Sequence, residues 1–183
     1  MDKERIKKAV SEILKAIDED PSKPELKKTP ERFADMMEDI LSGKGKDIAE
    51  ILKATHELKH DEMVIVRDVP FYSMCEHHLI PFFGKCHVAY IPKKNRIVGV
   101  SELVKIVDVL SRKLQLQERL TTEIANSIMK HLEPKGAGVV IEARHLCIEM
   151  RGLKVPAQIV TSAVRGLFRD DIKTREEFLK LIR

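Results

Sequence analysis

The chain has 183 residues and a mass of 20.9 kDa, enough for one domain or one domain with a helical extension. Hydrophobic residues make up 43% and charged residues 34%, too apolar a mixture for a disordered chain, and no apolar run approaches the ~18 residues of a membrane span. The 33 basic and 29 acidic residues are interspersed and leave a net charge of +4; with no Trp and two Tyr, the chain has neither the basic patch nor the stacking surface of a nucleic-acid binder.

The first ten residues are charged from Asp2 onward, unlike a signal peptide, which predicts a cytoplasmic protein. Three cysteines, an odd number without a secretion signal, point to metal binding or inert thiols rather than a disulfide framework. Ile6, Val10, Ile13, Leu14 and Ile17 recur at spacings of three and four and predict a helix over roughly residues 2–18. Asp20-Pro21-Ser22-Lys23-Pro24 breaks it. Thr29 then offers an N-cap with Pro30 at the first helical position, predicting a second helix as far as Gly43. A third, short helix is expected near Asp47–Lys53. This predicts an all-helical N-terminal extension over residues 1–60 and a single main domain over 61–183.

From Glu62 the pattern turns to strands. Met63–Val69, closed by Pro70, and Lys85–Ile91, closed by Pro92, read as an antiparallel pair. Ser101 is an expected N-cap, with Glu102 in the first turn, for a helix carrying Leu103, Val104, Val107 and Leu110; a further helix is predicted over Gln117–Leu132. Strands are expected over Val139–Arg144, onward through Cys147 to Met150, and over Ile159–Val164. A last helix carries Phe178, Leu179 and Ile182. Helices, two strands, two helices, further strands and a closing helix make an α+β arrangement rather than alternating βαβ units.

The segment Cys75-Glu76-His77-His78 puts a thiol, a carboxylate and two imidazoles at consecutive positions between a strand end and Pro81. Cys75 and His78 have a C-x₂-H spacing that lets a tight turn offer both to one zinc ion. Taken alone, the segment also fits a buried thiol beside surface histidines. His145-Leu146-Cys147 adds a second half: on a strand, residues i and i+2 share a face, so His145 and Cys147 are expected to project together with Leu146 turned into the core. Cys147 then gives a third ligand, and three protein ligands with an open fourth position are the mark of catalytic rather than structural zinc. Bound zinc brings the pKa of water towards ~7, which points to hydrolysis. His77 and His145 remain beside the metal as proton donors and acceptors. Glu76 fits equally a partner orienting a ligand histidine and a solvated surface carboxylate. Cys86 reads as packing and His87 as non-catalytic, while His56, His60 and His131 have no partner at useful spacing.

Cys75-Glu76-His77-His78, Val98-Gly99-Val100-Ser101, Gln115-Leu116-Gln117-Glu118-Arg119-Leu120-Thr121, His145-Leu146-Cys147 and Met150-Arg151-Gly152 together resemble the motifs of the GTP cyclohydrolase I family, in their usual order. The likeness runs from about Thr29-Pro30-Glu31-Arg32 to Lys173-Thr174-Arg175 and beyond. It implies the tunnelling fold, a four-stranded antiparallel sheet with two helices between the strand pairs. Such sheets join in a five-membered ring, and two rings stack into a homodecamer with active sites between subunits. It assigns Zn²⁺ to Cys75, His78 and Cys147, in agreement with the ligand argument, and the guanine edge to Glu118 with Gln117 beside it. It implies GTP as substrate, attack at C8 with His77 assisting protonation of the ring nitrogen, release of formate and rearrangement to 7,8-dihydroneopterin triphosphate. Ser101 and His145 match positions of the later proton transfers, and Val100 stands with the substrate contacts.

The phosphate side departs from that pattern. Glu102 and Lys105 stand where the family has a basic residue and an arginine, and the segment Lys154–Ile159 is one residue short and lacks the usual hydroxyl and basic residue. Lysine keeps the charge but loses the bidentate fork of arginine. Arg151 and Arg32 still match phosphate-contacting arginines. A second expectation follows: a paralogue acting on a guanine nucleotide with fewer phosphates, or on a modified purine. A zinc-stabilised binding ring without chemistry is a third.

Overall fold

The computed structural model describes residues 1–53, 55–57 and 59–183, with the side chains of residues 55–57 outside the description. The described residues form two compact units, Met1–Ser42 and Gly43–Arg183.

In the first unit, α1 (Lys3–Ala16) buries Val10 and Leu14, and α2 (Thr29–Ile40) buries Ala34. Asp2 caps α1 by accepting from the Arg5 N–H at 3.0 Å. Thr29, expected as the N-cap of α2, is its first helical residue; Lys28 holds the cap position, and Pro30 still falls in the first turn, where its missing N–H costs nothing.

The second unit opens with α3 (Ile48–Ile51), capped by Asp47, and β1 (Thr55–Glu57), which pairs with β4 (Arg96–Val98). The main sheet runs β5-β2-β3-β6-β7, from β2 (Val64–Cys75), β3 (Pro81–Ile91), β5 (Leu114–Gln115), β6 (Gly136–His145) and β7 (Gln158–Gly166). The four long strands are antiparallel neighbours in sequence order, and α4 (Val100–Ser111) and α5 (Gln117–Leu132) fall between the two pairs. The architecture is mixed α+β, as expected.

α4 turns Leu103, Ile106, Val107 and Leu110 inward, and α5 turns Leu120, Ile124, Ala125, Ile128 and Leu132 inward, onto the same face as Phe71, Cys86, Val88, Tyr90, Val139 and Ile141. Each fully buried aliphatic side chain contributes about 1.5–3 kcal/mol. The opposite face carries a smaller cluster of Ala89, Ile91, Val140, Phe168 and Phe178, closed by α7 (Leu167–Asp170) and α8 (Ile172–Leu181).

Three local expectations are corrected. β2 does not stop at Pro70 but runs on to Cys75: β5 pairs only with Met74 and Cys75, so the proline sits where the strand has β3 as its one partner and no second ladder needs its N–H. Gly99, not Ser101, is the N-cap of α4, and Val100 is its first helical residue. The strand through Cys147 ends at His145, and Leu146–Glu149 is a helical turn (α6) closed by the Met150 N–H donating to the Leu146 carbonyl at 3.0 Å.

Candidate metal and active site

Cys75 is the last residue of β2 and is buried. Its N–H donates to the Ile80 carbonyl at 3.0 Å and its carbonyl accepts from the Leu79 N–H at 2.9 Å, closing a turn in which Leu79 takes a left-handed φ of 51°. That turn presents His77 and His78, both exposed, outside the end of the sheet. The Glu76 N–H donates to the Gln115 carbonyl at 3.1 Å, and the Glu76 carboxylate accepts from Arg119 of α5 at 2.6 Å. Glu76 is thus an ion-pair partner of α5, fastening the Cys75–His78 turn to the helix that carries Gln117 and Glu118. Replacing Arg119 by Met is expected to weaken metal binding about tenfold, as removal of outer supports of metal sites does, measured by competition with a chromogenic chelator.

The ends of β2 and β6 meet across β3. Cys75 Sγ, a ring nitrogen of His78 and Cys147 Sγ all lie within 4.8 Å of one another, and Cys75 Sγ stands 3.9 Å from His78 Nδ1. Tetrahedral zinc with ordinary Zn–S and Zn–N bonds separates such atoms by ~3.6 Å, so a small contraction suffices. The donor set fits a soft or borderline divalent cation. Burial and then the neighbouring Cys75 sulfur push the Cys147 thiol up, and Arg151 opposes them, so two thiols are crowded together where a cation would relieve both. His145 and Cys147 converge although one closes a strand and the other opens a helical turn.

These residues line a cavity of about 510 Å³ with His77, Phe82, Gln115, Leu116, Gln117, Glu118, His145 and Ile159. Phe82 stacks on the His145 ring at 4.7 Å between centroids and 11° between planes. Burial holds the His145 imidazole below its ordinary pKa against the pull of Glu118 and Glu149. Glu118 is exposed in the first turn of α5, where a carboxylate suits the helix dipole. Gln117 beside it is 1% exposed, with its carboxamide bonded to strand carbonyls and to His145. Gln115 Nε2 donates to the Leu110 carbonyl and to Glu123, which leaves Gln115 Oε1 buried without a partner among the described residues.

Val100, Ser101 and Lys105 are not among the residues lining this cavity, and neither is Arg151 in the loop after α6. Arg32 lies on α2 in the first unit. The Ser101 hydroxyl donates to Glu102 at 3.0 Å, and Lys105 Nζ is 3.5 Å from the other Glu102 oxygen. The hydroxyl, followed by the backbone N–H at the helix start, holds the Glu102 carboxyl below its usual range. Cys86 is fully buried in the main core, and His87 faces the other side of the sheet, accepting the Asp68 N–H at 3.2 Å. The His56 side chain lies outside the described residues.

The GTP cyclohydrolase I family model matches residues 6–183. The chain belongs to the GTP cyclohydrolase I family. The GTP cyclohydrolase 1 of Caldanaerobacter subterraneus subsp. tengcongensis is 56% identical over 183 residues, covering 100% of this chain and 97% of that one. Those of Acetivibrio thermocellus and Clostridioides difficile are each 51% identical, again over 100% of this chain and over 98% and 97% of theirs. A solved structure of the archaeosine synthase QueF-Like in the apo form matches over 57% of this chain and 96% of that chain at 19% identity, with a TM-score of 0.44. Among the described residues no helix is long and apolar enough to cross a membrane.

Arg119 and Phe82 escaped the sequence reading. Arg119 sat in plain view beside Glu118, but its partner Glu76 is distant in sequence; Phe82 carried no signal beyond its place after Pro81.

Proposed function

We propose that this protein hydrolyses the guanine imidazole ring of GTP at C8, releases formate and yields 7,8-dihydroneopterin triphosphate. The observation that carries this reading is the convergence of Cys75, His78 and Cys147 with His77, His145 and Glu118 at one cavity, in a chain of the GTP cyclohydrolase I family.

Cys75, His78 and Cys147 would hold zinc, which supplies Lewis acidity and lowers the pKa of water to about 7. Glu118, free at the cavity wall, accepts the adjacent N–H donors of the guanine edge, and this places C8 towards the opposite wall. His77, exposed at the turn, protonates the ring nitrogen as the imidazole opens. His145, held between Phe82 and Gln117, serves the later proton transfers with Ser101. Arg151 and Lys105 receive phosphate oxygens.

Val100, Ser101 and Lys105 stand outside the wall formed by their own chain, which favours a site completed by a neighbouring copy. Among the described residues β7 has a partner on one side only and β2 has β5 beside just two of its residues, so the sheet is open along both edges to further strands. Both features support the tunnelling fold assembled as a decamer of two five-membered rings, with a solution mass ten times the 20.9 kDa chain by light scattering.

Incubating metal-loaded protein with GTP is expected to give formate and a pterin that fluoresces after oxidation. No product with the metal fully bound would refute this reading. The Glu102–Lys105 pair favours a second one, a preference for fewer phosphates, because the pair cancels charge where the substrate tail is expected. Rates with GTP, GDP, GMP and guanosine decide between them: a fall of ten-fold or more per phosphate removed, as the loss of ~1.5–3 kcal/mol charge-assisted contacts requires, excludes the second reading.

A further inference from the structure

Gln117 is buried, yet it uses both ends of its carboxamide. Nε2 donates to the Ile141 carbonyl of β6 at 3.1 Å and to the Ile159 carbonyl of β7 at 3.0 Å, with Thr161 Oγ1 at 3.1 Å. Carbonyl oxygens accept and never donate, so the amide nitrogen must face the strands and the oxygen must face away from them. The hydroxyls agree with that direction. Thr121 donates to the Gln117 backbone carbonyl at 2.7 Å, which leaves Thr161 to donate to Thr121 at 2.7 Å and to offer its lone pairs to Gln117.

The only orientation left puts Gln117 Oε1 2.7 Å from His145 Nε2. An amide oxygen carries no proton, so the hydrogen between them belongs to the imidazole. Phe82, stacked 4.7 Å away on the ring face, fixes the plane in which that bond lies.

We propose that Gln117 is a positioning residue that locks His145 with its Nε2–H donated to the amide oxygen and keeps Nδ1 as the nitrogen available to substrate. The carbonyls of β6 and β7 and the two threonines set the amide, the amide sets the imidazole, and the imidazole meets the substrate with a lone pair on one defined atom. The Gln117 side chain therefore acts through His145, both ends of its carboxamide being engaged by protein groups. This inference rests on the reading of His145 as a group that serves the later proton transfers.

Solid-state ¹⁵N NMR of metal-loaded protein carrying labelled histidine tests it, the His145 signals being identified by their loss in His145→Asn. The wild-type spectrum is expected to show a protonated Nε2 and an unprotonated Nδ1. In Gln117→Met, which keeps the length of the side chain, both tautomers are expected, with kcat down about 10–100-fold through misorientation and KM for GTP within about threefold. A wild-type proton on Nδ1 overturns the proposal, as does a Gln117→Met protein with full metal content and wild-type kcat. If Gln117→Met does not fold, the wild-type spectrum decides alone. Absence of turnover in the wild-type protein would refute the functional reading and leave the tautomer result standing.

Discussion

The Cys147→Ala protein is expected to lose its bound metal and, with it, about 10³-fold or more of its GTP turnover, the loss of several kcal/mol of transition-state stabilisation. Two ligands would remain, Cys75 and His78, both on one turn at the end of β2. A two-ligand turn is a poor trap for a divalent ion, because the third donor comes from a different strand end and fixes the ion against the sheet. The fold should persist: Cys147 is only partly buried and sits on a four-residue helical turn at the edge of the core. Metal content by atomic emission, formate release and the far-ultraviolet dichroism spectrum, taken on one preparation, separate a lost ligand from a lost fold. Wild-type turnover in a metal-free Cys147→Ala protein would remove the metal from the mechanism.

Glu118→Gln is expected to reduce kcat/KM for GTP on the order of 10²–10³, because a carboxylate that accepts two adjacent N–H donors is replaced by an amide that accepts one and presents a donor to the other. Its metal content should stay at the wild-type level. Stability should also change little: Glu118 is exposed, and its interaction with the α5 dipole is worth only about 0.3–1 kcal/mol. Base discrimination gives the sharper readout. Inosine triphosphate lacks the 2-amino group, so with Glu118 on the guanine edge one of its oxygens would go unpaired, and the wild-type enzyme is expected to favour GTP strongly. In Glu118→Ala that preference should collapse towards unity. An unchanged GTP-to-ITP ratio would place base recognition elsewhere on the cavity wall.

Much of this was legible along the chain. α5 runs over the expected Gln117–Leu132, with Leu120, Ile124, Ala125, Ile128 and Leu132 on its buried face and Pro134 beyond its end. The metal-ligand trio was legible from donor chemistry and spacing, and its geometry came out compatible with a cation. Cys147 sits on a helical turn and not on the continuing strand its spacing predicts; a short apolar run does not reveal where a strand yields to a turn. Pro70 misled for a related reason: its cost depends on whether a second neighbour needs its N–H, a property of sheet order and not of the strand itself. The Glu76–Arg119 bridge and the bonds of Gln117 join residues far apart in sequence and became visible only in three dimensions.

β3 separates the two strands whose ends carry the metal ligands: β2 and β6 each pair with it, residue against residue, and not with each other. The trio can therefore assemble only after both ladders have closed, because β3 sets the separation between the end of β2 and the helical turn that follows β6. A cation held by Cys75, His78 and Cys147 would therefore stabilise only a chain in which both ladders have formed, since binding energy at such a site is folding energy.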